Sequence, residues 1–219
     1  MPPRDSPQSC TRAVACWAEG QSPRQAPSVP TLARLIETAR LIVRLPEMPD
    51  VPEIVRYYGE NRAHLQPFSP AFAPDFLEEA TWAEQVRVRS REHAAGESFR
   101  GFLFARSAPQ EIVGNLNLTQ VHRGAFQSCV LGYNLARDEQ GKGYMTEAVA
   151  GAVAFVFGIW KLHRVAANYM PHNSRSAAVL RRCGFQVEGR ASAYLLINGR
   201  WEDHVLTAIA NPELEVPVP

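Results

Sequence analysis

Net charge is almost absent from this chain: 23 Lys and Arg stand against 22 Asp and Glu, leaving +1 at pH 7. So weak a field draws a protein neither to a phosphate backbone nor to an anionic membrane, so no nucleic-acid requirement and no membrane partner are expected. Closely spaced cysteines are missing too. Cys10, Cys16, Cys129 and Cys183 show no Cys-x-x-Cys spacing, which fits reduced thiols in a cytoplasmic protein better than a disulfide framework. The six histidines have no ligand spacing with cysteines or acids, and no metal is expected. The first 20 residues carry Arg4, Asp5, Arg12 and Glu19 and no long apolar run, so no secretory signal is expected. The most apolar stretch, residues 148–160, is too short for a bilayer and reads as a buried helix. No Ser-His-Asp arrangement offers a nucleophile, so any group transfer is expected to be direct.

What is present is a chain of 219 residues, 46% hydrophobic, enough for one domain with a substantial core. Residues 1–30 hold Pro2, Pro3, Pro7, Pro23, Pro27 and Pro30 among Ser, Gln and Arg, and are expected to be a flexible extension. Residues 31–212 would form the domain and 213–219 a C-terminal tail. The β-prone run 41–45, closed by Pro46, reads as the first strand. Asp50-Val51-Pro52-Glu53 has the form of a capping box, opening a helix that leads into Glu60-Asn61-Arg62. Residues 75–95 read as a second helix; Arg87, Arg89 and Arg91 are its solvated face. Three β-rich runs follow at 99–106, 111–120 and 128–135. A helix over 145–160, a strand over 163–169 and a helix over 173–182, stopped by Gly184, come next. Strands 194–197 and 202–209 meet through Asn198-Gly199, a hairpin signal. The fold class is mixed α/β, or α+β, without an internal repeat.

Chemistry concentrates where the strand ending in Tyr133-Asn134-Leu135 runs through Gln140-Gly141-Lys142-Gly143 directly into a helix at Tyr144-Met145. Glycines let the backbone turn sharply beside a ligand, and a helix start offers unpaired N–H groups at its positive end, which suits a diphosphate. Gly143 after Lys142 excludes the nucleotide P-loop, and Thr146 excludes the dinucleotide Gly-x-Gly-x-x-Gly. A plain chain-reversing turn is the alternative.

The wider pattern resembles the GCN5-related N-acetyltransferase superfamily: the glycine loop, Asn173-Ser174-Arg175-Ser176 and Cys183-Gly184-Phe185. More narrowly, Tyr57-Tyr58-Gly59-Glu60-Asn61-Arg62, residues 167–173 and residues 194–207 are similar to the ribosomal-protein-alanine N-acetyltransferases of the RimJ type. The resemblance implies one domain whose mixed sheet has two splayed parallel strands, acetyl-coenzyme A as cosubstrate and a protein N-terminus as acceptor, namely the N-terminal alanine of the fifth small-subunit ribosomal protein. It assigns the coenzyme diphosphate to Gln140, Gly141, Lys142, Gly143, Tyr144 and Met145. The pantetheine arm goes to Tyr133, Asn134 and Leu135 and lies near residues 167–169, with Asn173 and Ser176 contacting it. Asn173 read alone is a helix N-cap, and both roles can coexist.

Three positions depart from the pattern: Asp138 stands where the loop usually has Gln or Arg, Asn168 where many relatives have a glutamate base, and Leu180 where a tyrosine acid is often proposed. A missing base is tolerable for an α-amine, neutral in about one molecule in five near neutral pH, but not for a lysine, neutral in on the order of one in a thousand. Glu60, ending its helix beside the acceptor side, is the candidate base or amine-holding group; Ser176 is the candidate acid. Asn61, Asn168 and Tyr194 complete the expected acceptor contacts. Asp203 and His204 read as a fixed hydrogen-bonded pair. A small-amine acetyltransferase and a non-catalytic, ribosome-associated coenzyme-binding module are the rival readings.

Overall fold

The computed structural model describes residues 35–213, the side chains from Ile36 onward. The expected extension over 1–30, the thiols of Cys10 and Cys16, and the tail beyond Glu213 lie outside the described residues. Eight strands form one sheet: β1 (Leu35–Glu37), β2 (Leu41–Arg44), β3 (Phe99–Ala105), β4 (Ala108–His122), β5 (Ser128–Leu135), β6 (Arg164–Tyr169), β7 (Gln186–Ile197) and β8 (Arg200–Ala210). The helices are α1 (Val51–Leu65), α2 (Glu79–Ala94), α3 (Tyr144–Gly158) and α4 (Ser174–Arg182). The order across the sheet is β1-β2-β3-β4-β5-β6-β8-β7. Only β5 and β6 run parallel, and α3 supplies the crossover that a parallel pair needs.

Alternation along the strands sorts side chains into two layers. Leu131, Tyr133, Val165 and Ala167 point to the face that packs α3 and α4, around Met145, Ala148, Ala152 and Val156. Phe102, Phe104 and Ile112 point the other way, against Ile54, Tyr57 and Tyr58 of α1 and Trp82 and Val86 of α2. Each large side chain removed from water there contributes about 1.5–3 kcal/mol.

Several expectations are corrected. β1 precedes the strand expected first, and β7 begins at Gln186, well before residue 194. Asp50 does not cap α1: its backbone is already helical, and its carboxylate binds Arg44 and the Glu47 amide instead, boxing the preceding 3-10 turn. α1 runs on to Leu65, so Glu60 lies within the helix rather than at its end. α2 begins at Glu79, after a turn near Asp75. Arg89 is not solvated: it is 5% exposed, with its guanidinium over Trp82 and Phe102, and burial lowers its pKa to about 10. Arg87 and Arg91 do face solvent, both paired with Glu84. The hairpin turn has the expected form, with φ of 44° at Asn198 and 81° at Gly199.

Candidate active site

The sheet opens at its parallel pair. β5 and β6 are in register at Ser128↔Arg164, Cys129↔Val165 and Val130↔Ala166, and there the pairing stops. Beyond it β5 stays paired to β4 as far as Leu135↔Gly114, and β6 to β8 as far as Tyr169↔Val205. Their facing edges, residues 131–135 and 167–169, therefore carry backbone groups without a strand partner, a costly condition unless something else bonds them.

Immediately past this opening lies the glycine loop. Gly141 (φ 78°) and Gly143 (φ 80°) take left-handed conformations, and Gly143 is the N-cap of α3. Among the described residues the N–H groups of residues 141–146 have no protein acceptor, leaving a run of free donors at a helix start, the arrangement that suits an anion. Lys142 pairs with Glu139 at 2.9 Å, so its ammonium is already engaged.

Arg40 and Thr38, before β2, brace this loop. Arg40 donates from Nη1 to the Lys142 carbonyl (2.9 Å) and from Nε to Glu147 (2.7 Å), and its guanidinium lies 4.8 Å from the centre of the Tyr144 ring. Glu147 also accepts from the Arg40 amide (2.7 Å) and the Thr38 hydroxyl (2.6 Å). Burial alone would raise the Glu147 carboxyl; these donors hold it below the usual range. The sequence reading missed this brace, because nothing local links residues 107 apart.

The opposite wall is α1. Tyr57 donates to Asn134 Oδ1 (2.6 Å), Asn61 Oδ1 accepts from the Arg137 amide (2.9 Å), and the side chains of Gln140 and His64 meet at 2.7 Å. Burial lowers the His64 pKa, with Arg137 and Arg175 adding to it. Asn61, expected at the acceptor, is buried with its carboxamide tied to Tyr57 and Arg137. Glu60 is not brought into this group: its carboxylate is 60% exposed and bound by Arg56.

On the α4 side, Asn173 caps the helix as its side chain accepts from the Ser176 amide (3.1 Å). The Tyr133 hydroxyl lies 2.8 Å from Ser176 Oγ, and burial pushes the phenol up to about 12 while the serine bond opposes the rise. Tyr133, Asn173 and Ser176 are thus assembled beside the opening. On the face toward α1 and α2, Asn168 donates to the Tyr194 hydroxyl (3.3 Å), whose ring lies 5.5 Å from that of His204. Asp203 and His204 are not bonded to each other. As strand neighbours they point to opposite faces; Asp203 binds Arg190 and the Ala193 amide, and His204 Nδ1 lies 3.0 Å from the Glu202 carbonyl. Among the described residues no group of His, Cys, Asp or Glu could hold a metal, and no helix is long and apolar enough to cross a membrane.

The acetyltransferase (GNAT) domain model matches residues 40–186. The [ribosomal protein uS5]-alanine N-acetyltransferase of Escherichia coli (strain K12) is 40% identical over 178 residues, covering 81% of this chain and 91% of the relative. Among solved structures, the ribosomal-protein-S5-alanine acetyltransferase of Vibrio fischeri superposes with a TM-score of 0.78 at 33% identity, covering 83% of this chain and 99% of that one. The Mycobacterium smegmatis RimJ in complex with CoA-disulfide gives a TM-score of 0.77 at 29% identity, over 82% of this chain and 88% of that one. An interrupted sheet beside a free-amide loop and this likeness along most of the chain have one explanation: the protein belongs to the GNAT family of acetyltransferases and is an N-acetyltransferase.

Proposed function

We propose that this enzyme uses acetyl-coenzyme A to acetylate a protein N-terminal α-amine in the cytoplasm, with the N-terminal alanine of the fifth small-subunit ribosomal protein as the first acceptor to test. The observation that carries the coenzyme assignment is the sheet opening beyond Val130 and Ala166 beside the unbonded amides of residues 141–146. The named activity of the Escherichia coli relative, at 40% identity, supports the acceptor. So does the shortage of uncommitted carboxylates: Glu60 is bound by Arg56, Asp203 by Arg190, and Glu202 lies 3.7 Å from Arg200. A polyamine would need such acids to hold its second cation. A shallow groove of about 370 Å³ between His172 and Trp201 could take the chain that follows an N-terminal residue.

The residues fit the coenzyme. Acetyl-coenzyme A supplies an acetyl group activated as a thioester. Gln140, Gly141, Lys142, Gly143, Tyr144 and Met145 would hold its diphosphate, and the free edge at Tyr133, Asn134 and Leu135 would bond the amides of its arm. A backbone N–H of β5 would receive the thioester oxygen, where a preaimed donor lowers the barrier by several kcal/mol. Asn173 keeps the start of α4 in place; Ser176, its oxygen engaged by Tyr133, would offer its proton to the leaving sulfur.

Thiol release measured with panels of peptide α-amines, polyamines and aminoglycosides tests the acceptor: an alanine-starting peptide should give the highest kcat/KM. A small amine exceeding every peptide would overturn the acceptor class, and tight coenzyme binding without turnover on any amine would make the protein a binding module.

A further inference from the structure

The base is missing from the position where relatives of this family place one, since Asn168 stands there, and Glu60 points to solvent. The strand register indicates another candidate. Val165 and Ala167 face α3 and α4, and their partners Ile209 and Thr207 share that face. Asn168 and its partner Leu206 therefore face α1 and α2, and His204, two residues along β8, shares their face. A diagonal neighbour of this kind lies about 7–8 Å away, backbone to backbone. β6 is the strand that borders the opening, so His204 stands one strand back from it, at the end where β5 and β6 have separated.

The ring is held in one tautomer. His204 is 4% exposed, and its Nδ1 lies 3.0 Å from the carbonyl of Glu202. A carbonyl only accepts, so Nδ1 carries the hydrogen, and in the neutral ring Nε2 is left as a lone-pair acceptor. No protein partner takes up Nε2 among the described residues. It is absent from the buried polar atoms that lack partners, so solvent reaches it. Tyr194 from β7 covers the ring and links it to Asn168. Tyr194 on β7 contacts the ring, and the Asp203 carboxylate on β8 interacts with it electrostatically while bound by Arg190.

We propose that His204 Nε2 is the base that removes a proton from the acceptor amine. The α-ammonium gives one proton to Nε2; the neutral nitrogen then bonds to the acetyl carbon, the carbon–sulfur bond breaks, and the second nitrogen proton ends, through Ser176 or solvent, on the departing sulfur. The imidazolium returns its proton to water. This inference rests on amine acetylation, the activity of the enzyme class, and holds for a peptide or a small amine alike.

The test is His204→Asn, whose amide N–H can still donate to the Glu202 carbonyl while Nε2 is lost. With the best acceptor from the panels, kcat should fall at least 30-fold at pH 7 and recover as pH rises. Added imidazole should restore part of the loss, and KM for acetyl-coenzyme A should stay within twofold. Glu84→Gln, on the solvent face of α2 where it pairs with Arg87, should leave the pH profile unchanged. Loss of stability with an unaltered pH profile and no imidazole rescue would assign His204 a structural role and overturn the proposal. Independently of any acceptor, nitrogen NMR of the neutral ring should report hydrogen on Nδ1 and a lone pair on Nε2; the opposite tautomer overturns it too. Failure of peptide acetylation alongside a positive His204 result would sink the acceptor assignment alone.

Discussion

Replacing Gly143 by Val isolates the glycine loop from the rest of the fold. Space is not the obstacle, since a Cβ there would meet only Arg40 Nη2 at 3.4 Å. Conformation is: φ is 80°, a region that costs an ordinary L-residue about 1–2 kcal/mol and a β-branched one more. The loop relieves that strain by rotating residue 143 to negative φ, which swings the amides of Tyr144 and Met145 off their common target. Two hydrogen bonds to a charged group, at about 1.5–3 kcal/mol each, are then lost. Their sum, about 3–6 kcal/mol, raises the acetyl-coenzyme A Kd by roughly two to four orders of magnitude, which abolishes binding in ordinary calorimetry. The control is Gly59→Ala within α1, where a Cβ meets nothing within 4 Å. Calorimetric affinity within threefold of wild type for a folded Gly143→Val protein would refute the assignment of this loop to the coenzyme.

Gly59→Ala itself should stabilise the protein by about 0.5–1 kcal/mol in urea unfolding, because glycine in a helix interior costs that much. Glu147→Gln should loosen the Arg40 brace, weakening acetyl-coenzyme A binding about tenfold and lowering unfolding free energy by about 1–2 kcal/mol, read by calorimetry and denaturation. Tyr133→Phe removes only the hydroxyl bonded to Ser176; kcat should fall about tenfold with the coenzyme KM nearly constant, and an unchanged kcat would remove Tyr133 from the mechanism. Burial acts to raise the Asp50 carboxyl, but Arg44 and the Glu47 amide outweigh it and hold the pKa low. Its stabilising contribution is therefore present above the ordinary carboxylate range and lost as pH falls through the folded value. The stability gap between wild type and Asp50→Asn should shrink between about pH 5 and pH 2.

The elements with local signatures were readable: β5, the helix starting beside Gly143, the Asn173 cap and the Asn198-Gly199 turn each follow from residues close in sequence. What sequence could not display were partnerships made by the sheet. Asp50 looked like the cap of α1, yet Arg44, six residues back, offers its carboxylate a bidentate partner that outcompetes the helix amides. Arg89 followed a charged pattern on a weakly amphipathic helix, and the Trp82 and Phe102 rings that bury it come from a different element as well as its own. Glu60 looked like a helix end because nothing nearby signals that α1 continues through Asn61 to Leu65, where burial of Asn61 and Leu65 sustains it. The face that His204 takes was invisible until the register of β8 against β6 fixed it.

Three register pairs join β5 to β6, with the amides of His163 and Arg164 bonded to the Gln127 carbonyl at the same end, so the eight strands amount to two plates, β1–β5 and β6–β8–β7, joined along a short seam. A ligand lying in the unstitched part rivets one plate to the other. A coenzyme held there would be a load-carrying part of the folded body, and the melting temperature should climb with its concentration as the folded state gains about 2.7 kcal/mol at one hundred times Kd.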